Sequence, residues 1–110
     1  MPLRALFLCS RNRLRSPTAE QVFAAWPGVE TASAGLNDDA DNPLTPDQLD
    51  WADLVLVMEP AHRRRLNARF AAHLCGKRVA CLDIPDDHDF MAPALVQRLR
   101  DRVPRHLPAA

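Results

Sequence analysis

The chain is expected to fold as an α/β domain: a three-layer arrangement of a four-stranded parallel sheet flanked by helices. Two observations lead there. Short apolar runs alternate along the sequence with amphipathic stretches, giving four strands and four helices in turn, and such alternation calls for parallel strands joined by helical crossovers. One run, DLVLVM at 53–58, is apolar almost throughout, as a strand covered on both faces must be.

The elements follow in order. Residues 4–9 read as a buried strand. Ser16 is a good N-cap and Pro17 a good first helical residue, so a helix is expected from Pro17 to about Trp26, stopped by Pro27-Gly28. VETASAG reads as a second strand ending at Gly35, and NDDADNP as a polar loop. Thr45-Pro46-Asp47-Gln48 has capping-box spacing for a short helix. After the 53–58 strand, Pro60 opens a helix running to about His73, and RVACLDI is the fourth strand. Pro93 begins a last helix whose Leu95, Val96, Leu99 and Val103 share one face. A single domain is expected over 1–110, with about 104–110 a loose tail.

Composition narrows the function classes. Fourteen basic residues balance fourteen acidic ones, which speaks against nucleic-acid or membrane-surface partners. No apolar run approaches the roughly 18 residues of a spanning helix. The first run, ALFLC, is also shorter than the roughly 7–15 apolar residues of a secretory leader. A cytoplasmic protein is expected, its three cysteines reduced rather than paired.

The stretch CSRNRLRS at 9–16 crowds three arginines beside one cysteine directly after the first strand. Cys9 and Arg15 have C-x5-R spacing, Ser16 follows, and a helix N-terminus stands behind them. A loop of successive backbone N–H groups leading into a helix makes an anion cradle, reinforced by the helix dipole. Arg15 adds a planar fork that grips two phosphate oxygens. The same positive surroundings favour a thiolate at Cys9, and Ser16 can donate a hydrogen bond to it. Residues 10–16 (Ser10, Arg11, Asn12, Arg13, Leu14, Arg15 and Ser16) are therefore the expected phosphate-binding loop, with phosphate or sulfate its expected occupant. A thiolate so placed can attack phosphorus and form a phosphocysteine.

The stretch FLCSRNRLRSPTAEQVF resembles the phosphate loop and first helix of the low-molecular-weight protein tyrosine phosphatase family, whose pattern is C-x-G-N-x-C-R-S-P-x-A-E. Cys9, Asn12, Arg15, Ser16, Pro17, Ala19 and Glu20 match it. LTPDQLDWADLVLVME resembles the family's third-strand region, and DIPDD its acid loop. The resemblance implies strand order 2-1-3-4, a cysteine-dependent phosphatase without metal or cofactor, and Asn12 shaping the loop rather than doing chemistry. It implies a general acid at Asp86, after Pro85, where the family reads Pro-Asp-Pro. Here Asp87 replaces the second proline and is a second candidate.

Several positions depart from the family. Its glycine before the asparagine is Arg11, and its next variable position is Arg13; both either add positive field at the mouth, favouring acidic or multiply phosphorylated substrates, or point to solvent. A threonine at the Arg13 position marks the family's phosphoarginine-specific branch, so that substrate is disfavoured. Leu14 replaces the second loop cysteine, leaving Cys9 without a vicinal thiol to reverse its oxidation. The connection from Gly35 to Thr45 is short, and the chain has no tyrosine, so the aromatic wall that flanks a phosphotyrosine ring is missing or rebuilt. Trp51 and Phe90 are the candidate replacements. The substrate is expected to be a phosphorylated protein or a small phosphomonoester.

Other patterns carry less. HRRRLNAR at 62–69 reads as a solvated basic helix face. His62, His73, His88 and His106 lack metal-ligand spacing, and Cys75 and Cys81 read as structural. Two rival readings stay open. One is a phosphate-binding module without turnover. The other is an arsenate reductase on the same loop, although its further cysteines belong where this chain has Met58-Glu59-Pro60.

Overall fold

The computed structural model describes residues 2–109; Met1 and Ala110, the ends of the expected domain and tail, lie outside the described residues. Strand β1 (Leu3–Cys9) is followed by helix α1 (Arg15–Phe23), β2 (Val29–Gly35), α2 (Pro46–Trp51), β3 (Leu54–Val57), α3 (Pro60–Phe70), β4 (Arg78–Cys81) and α4 (Pro93–Arg102). The four strands form one parallel sheet in the order β2-β1-β3-β4.

Residues of the central strands alternate between two apolar layers, as the two-residue period of a strand requires. Ala5, Phe7, Leu54 and Leu56 pack with Ala19 and Phe23 of α1 and with Leu95 and Leu99 of α4. Leu6, Leu8, Val55 and Val57 pack on the other face with Leu49 of α2 and Leu66 of α3. Residues 5–8 and 54–57 are fully buried, which accounts for the unbroken apolar run in the third strand. Among the described residues, no helix is long and apolar enough to cross a membrane.

Several boundaries differ from the sequence expectation, each for a local reason. Helix α1 begins at Arg15 with Leu14 as its N-cap and no side-chain cap, because the Ser16 hydroxyl is engaged elsewhere. The helix ends at Phe23; the Trp26 amide then closes a turn on the Phe23 carbonyl before Gly28, whose φ is +77°. Strand β4 stops at Cys81 although the Leu82 and Ile84 amides still donate to Val57 and Met58. Asp83 lies between them at φ 54°, a left-handed conformation that no strand accommodates. Val96 is only half-buried, and the buried stripe of α4 is Leu95, Leu99 and Val103.

The expected loose tail is tied down over its described part. Pro104–His106 form a 3₁₀ turn, Leu107 packs against the first apolar layer, and the Trp26 indole donates to the Pro108 carbonyl. The basic face of α3 is also more than solvated. Arg65 donates to Asn37 Oδ1 at 2.7 Å, Arg69 to the Leu36 carbonyl at 2.7 Å, and Arg63 to the Val79 carbonyl at 2.9 Å. Two of these three arginines hold the segment after β2.

Candidate active site

Strands β1 and β3 are neighbours in a parallel sheet, so their carboxyl ends open on the same edge, where ligands of such folds sit. The turn from β1 into α1 lies there. A cavity of about 400 Å³ is lined by Cys9, Ser10, Arg11, Arg13, Leu14, Arg15 and Asp86. Seven of the nine residues singled out from the sequence thus meet around one space. The other two, Asn12 and Ser16, are buried.

These two shape the loop from beneath. Asn12 has φ 56°, a conformation that asparagine tolerates far better than branched residues do. Its side-chain amide donates to Ser16 Oγ at 2.9 Å, and its backbone N–H points at Cys9 Sγ at 3.3 Å. Ser16 Oγ lies 2.9 Å from Cys9 Sγ. With the serine hydroxyl so employed, the first-turn amides of α1 are left without a side-chain cap at the edge of this cavity.

The loop is held from behind by the segment after β2. The amides of Leu36, Asn37 and Asp41 donate to the carbonyls of Cys9, Ser10 and Arg11 at 2.9, 2.9 and 3.0 Å. Gly35 is what lets the two chains approach. A Cβ there would stand 2.8 Å from the Ser10 oxygen and 3.0 Å from the Arg11 carbonyl carbon.

Arg15 is 2% exposed. Its Nη1 donates to the Ile84 carbonyl at 2.8 Å and pairs with Glu59 Oε2 at 3.1 Å. Its Nε is buried without a hydrogen-bond acceptor, and Asp86 Oδ1 stands 3.6 Å away. A buried donor left open is costly and rare, and here it belongs to a cationic fork lining a cavity. Asp86 is mostly exposed, whereas Asp87 turns to His88, 3.1 Å away, and does not line the cavity. Thr18 ties the two loops together: its hydroxyl donates to the Leu14 carbonyl and accepts from the Met91 amide.

Two residues at the site were missed in the sequence. Glu59 and His62 open α3, directly after β3. The Glu59 amide donates to His62 Nδ1 at 3.1 Å, which leaves the ring proton of the neutral imidazole on Nε2. That nitrogen lies 3.0 Å from Ser10 Oγ and 3.3 Å from Glu59 Oε2. Burial first, then the Arg15 charge, lowers the His62 pKa to about 4, so the ring is neutral at ordinary pH. A Glu-x-x-His pair following a central strand was the available pointer, because that strand ends beside the loop.

Neither candidate replacement for the aromatic wall lines the cavity. Trp51 stands under the Arg4 guanidinium, 6.0 Å away, at the start of the strands. Phe90 is half exposed over a shallow groove with Pro17 and Gln21 of α1 and Ala24 just beyond it. Among the described residues, no metal-binding group of histidine, cysteine and carboxylate side chains occurs. Cys75 is exposed, and Cys81 lies near Asp83 with its pKa raised by burial.

Comparison with solved structures settles the architecture. The tyrosine phosphatase Wzb of Escherichia coli K30, solved with phosphate, aligns with a TM-score of 0.78 over 96% of both chains at 21% identity. The low molecular weight protein tyrosine phosphatase of Streptococcus pyogenes aligns with a TM-score of 0.77 over 96% of this chain and 94% of that one, at 15% identity. The chain has the low-molecular-weight tyrosine phosphatase fold. Among curated proteins, a protein-arginine-phosphatase of Geobacillus stearothermophilus is 31% identical, the match covering 64% of this chain and 64% of that protein. The chain thus spans somewhat under two thirds of that relative's length. No family model matches the chain. In this fold the loop from Cys9 to Ser16 occupies the turn after the first strand, the position the sequence pattern assigned to it.

Proposed function

We propose that the protein is a cysteine-dependent phosphomonoesterase. The observation that carries this reading is the buried Arg15, whose Nε lacks an acceptor in a cavity also lined by Cys9. A phosphate dianion supplies the missing acceptor and brings phosphorus to the sulfur.

The steps follow from the arrangement. Cys9 Sγ, as a thiolate supported by Ser16, attacks phosphorus. The S–P bond forms as the ester P–O bond breaks, and Asp86 gives its proton to the leaving oxygen. Arg15 and the amides of residues 10–15 hold the equatorial oxygens through the transition state. The Asp86 carboxylate then takes a proton from water as that water attacks phosphorus, releasing phosphate and regenerating the thiolate. The likeness to phosphatases and the phosphate held by one of them support this assignment. The substrate in this reading is a phosphorylated protein or a small phosphomonoester, and the free thiols suit a cytoplasmic setting. Arg13, standing where the phosphoarginine-specific branch has a threonine, speaks against phosphoarginine as the substrate.

The test is hydrolysis of an aryl phosphate across pH 5–8 by wild type, Cys9→Ser and Arg15→Ala, beside phosphate binding followed by thermal shift. Cys9→Ser should lose turnover and keep phosphate binding, while Arg15→Ala should lose both. Full turnover by Cys9→Ser would overturn the mechanism. Phosphate binding by a wild type that hydrolyses nothing would make the protein a binding module.

A further inference from the structure

The cavity is larger than one phosphate needs, and its walls are unusual in a specific way. Leu14 is the only apolar side chain among the lining residues other than the cysteine, no aromatic ring contributes, and three arginines do. The three differ in how their charge is met. Arg15 pairs with Glu59 and Asp86, and Arg13 Nε pairs with Asp41 Oδ1 at 3.1 Å. Arg11 is exposed and makes neither an ion pair nor a side-chain hydrogen bond among the described residues.

Its backbone is nonetheless fixed. The Arg11 carbonyl accepts from the Asp41 amide at 3.0 Å, and its carbonyl carbon backs onto Gly35. The backbone is therefore clamped on the side away from the cavity, while the side chain rises at the rim. An uncompensated guanidinium carried on a clamped backbone beside an anion cradle adds positive field at the mouth that a counter-charge relieves.

We infer that Arg11, with Arg13 beside it, forms a second anion subsite at the mouth. The substrate is then a phosphomonoester that carries another anionic group, a carboxylate or a second phosphate, next to the reacting phosphate. This inference rests on the reading of the 9–16 loop as the phosphate site. It accounts for the missing aromatic wall, since such a substrate is gripped by charge rather than by stacking.

Calorimetric titration at low ionic strength with three small probes tests it: methylphosphonate, phosphonoacetate and methylenebisphosphonate. The first carries only the group for the loop; the others add a carboxylate or a second phosphonate. A charge-assisted contact should make at least one two-headed probe about tenfold tighter than methylphosphonate. That ratio should collapse to within about threefold in Arg11→Ala and persist largely in Arg11→Lys. Which probe gains tells a carboxylate-bearing substrate from a bisphosphate. Equal affinities in the wild type, or a ratio unchanged in Arg11→Ala, overturns the subsite while leaving the phosphate loop standing. Failure of all three probes to bind the wild type overturns the phosphate loop and the subsite together.

Discussion

Replacing Gly35 by alanine tests how the phosphate loop is kept in shape. The added Cβ would lie 2.5 Å from the Ala40 Cβ, 2.8 Å from the Ser10 oxygen and 3.0 Å from the Arg11 carbonyl carbon. Ordinary contact begins near 3.4 Å, so the Ser10 carbonyl must retreat by about 0.6 Å. The obstacle is backbone on the loop side, which no rotamer change relieves. Overpacking of this kind costs about 1–3 kcal/mol, enough to lower the melting temperature by at least about 4 °C in a domain of this size. Ser10 belongs to the predicted anion cradle, and a misplacement of about 1 Å in a reacting site costs on the order of 10²-fold. The shift here predicts a loss of about tenfold or more in kcat/KM on an aryl phosphate. Melting and hydrolysis are to be measured together. A variant that melts within about 1 °C of the wild type and hydrolyses at its rate refutes the idea that this contact shapes the loop.

Two further outcomes follow from the site. Asp86→Asn should lower kcat by about 10²-fold or more, with the largest loss for poor leaving groups, while Asp87→Asn should stay within about twofold; the reverse order would move the acid to Asp87. His62, with its pKa lowered from 6.5 to about 4, resists protonation in the folded state while the unfolded chain accepts a proton. Stability therefore falls as pH drops from 6.5 towards 4, by up to about 3 kcal/mol from this group. Denaturant titrations across that range should show a shallower fall in His62→Gln, and parallel curves would dismiss the effect.

The fold was legible because its determinants are local. Buried residues 54–57 are written as an apolar run, and the Thr45–Gln48 capping box forms as the spacing predicts, with both hydrogen bonds present. The loop was legible for the same reason, since Cys9, Asn12, Arg15 and Ser16 are neighbours in the chain. What escaped depends on distant partners. Ser10 meets His62 across 52 residues, and Arg15 meets the Ile84 carbonyl across 69. No spacing rule announces such pairs. The basic stretch of α3 is largely exposed as its composition suggests, but the bonds of Arg65 and Arg69 to residues 36–38 join segments that no local pattern links. Strand β4 was read too long because LDI is apolar enough to continue it, and only the left-handed backbone of Asp83 shows why it does not.

The amides of Leu36, Asn37 and Asp41, which donate to the carbonyls of the loop from its far side, give the site a built-in reporter. They do not line the cavity, yet they can exchange their hydrogens with deuterated water only when the loop and the 36–41 segment part. An anion that binds the closed loop makes that parting rarer in proportion to 1 + [L]/Kd. Exchange at these three positions should therefore slow as phosphate is added, and the slowing yields a dissociation constant without any catalytic assay. The back of the loop thus records what its front has bound.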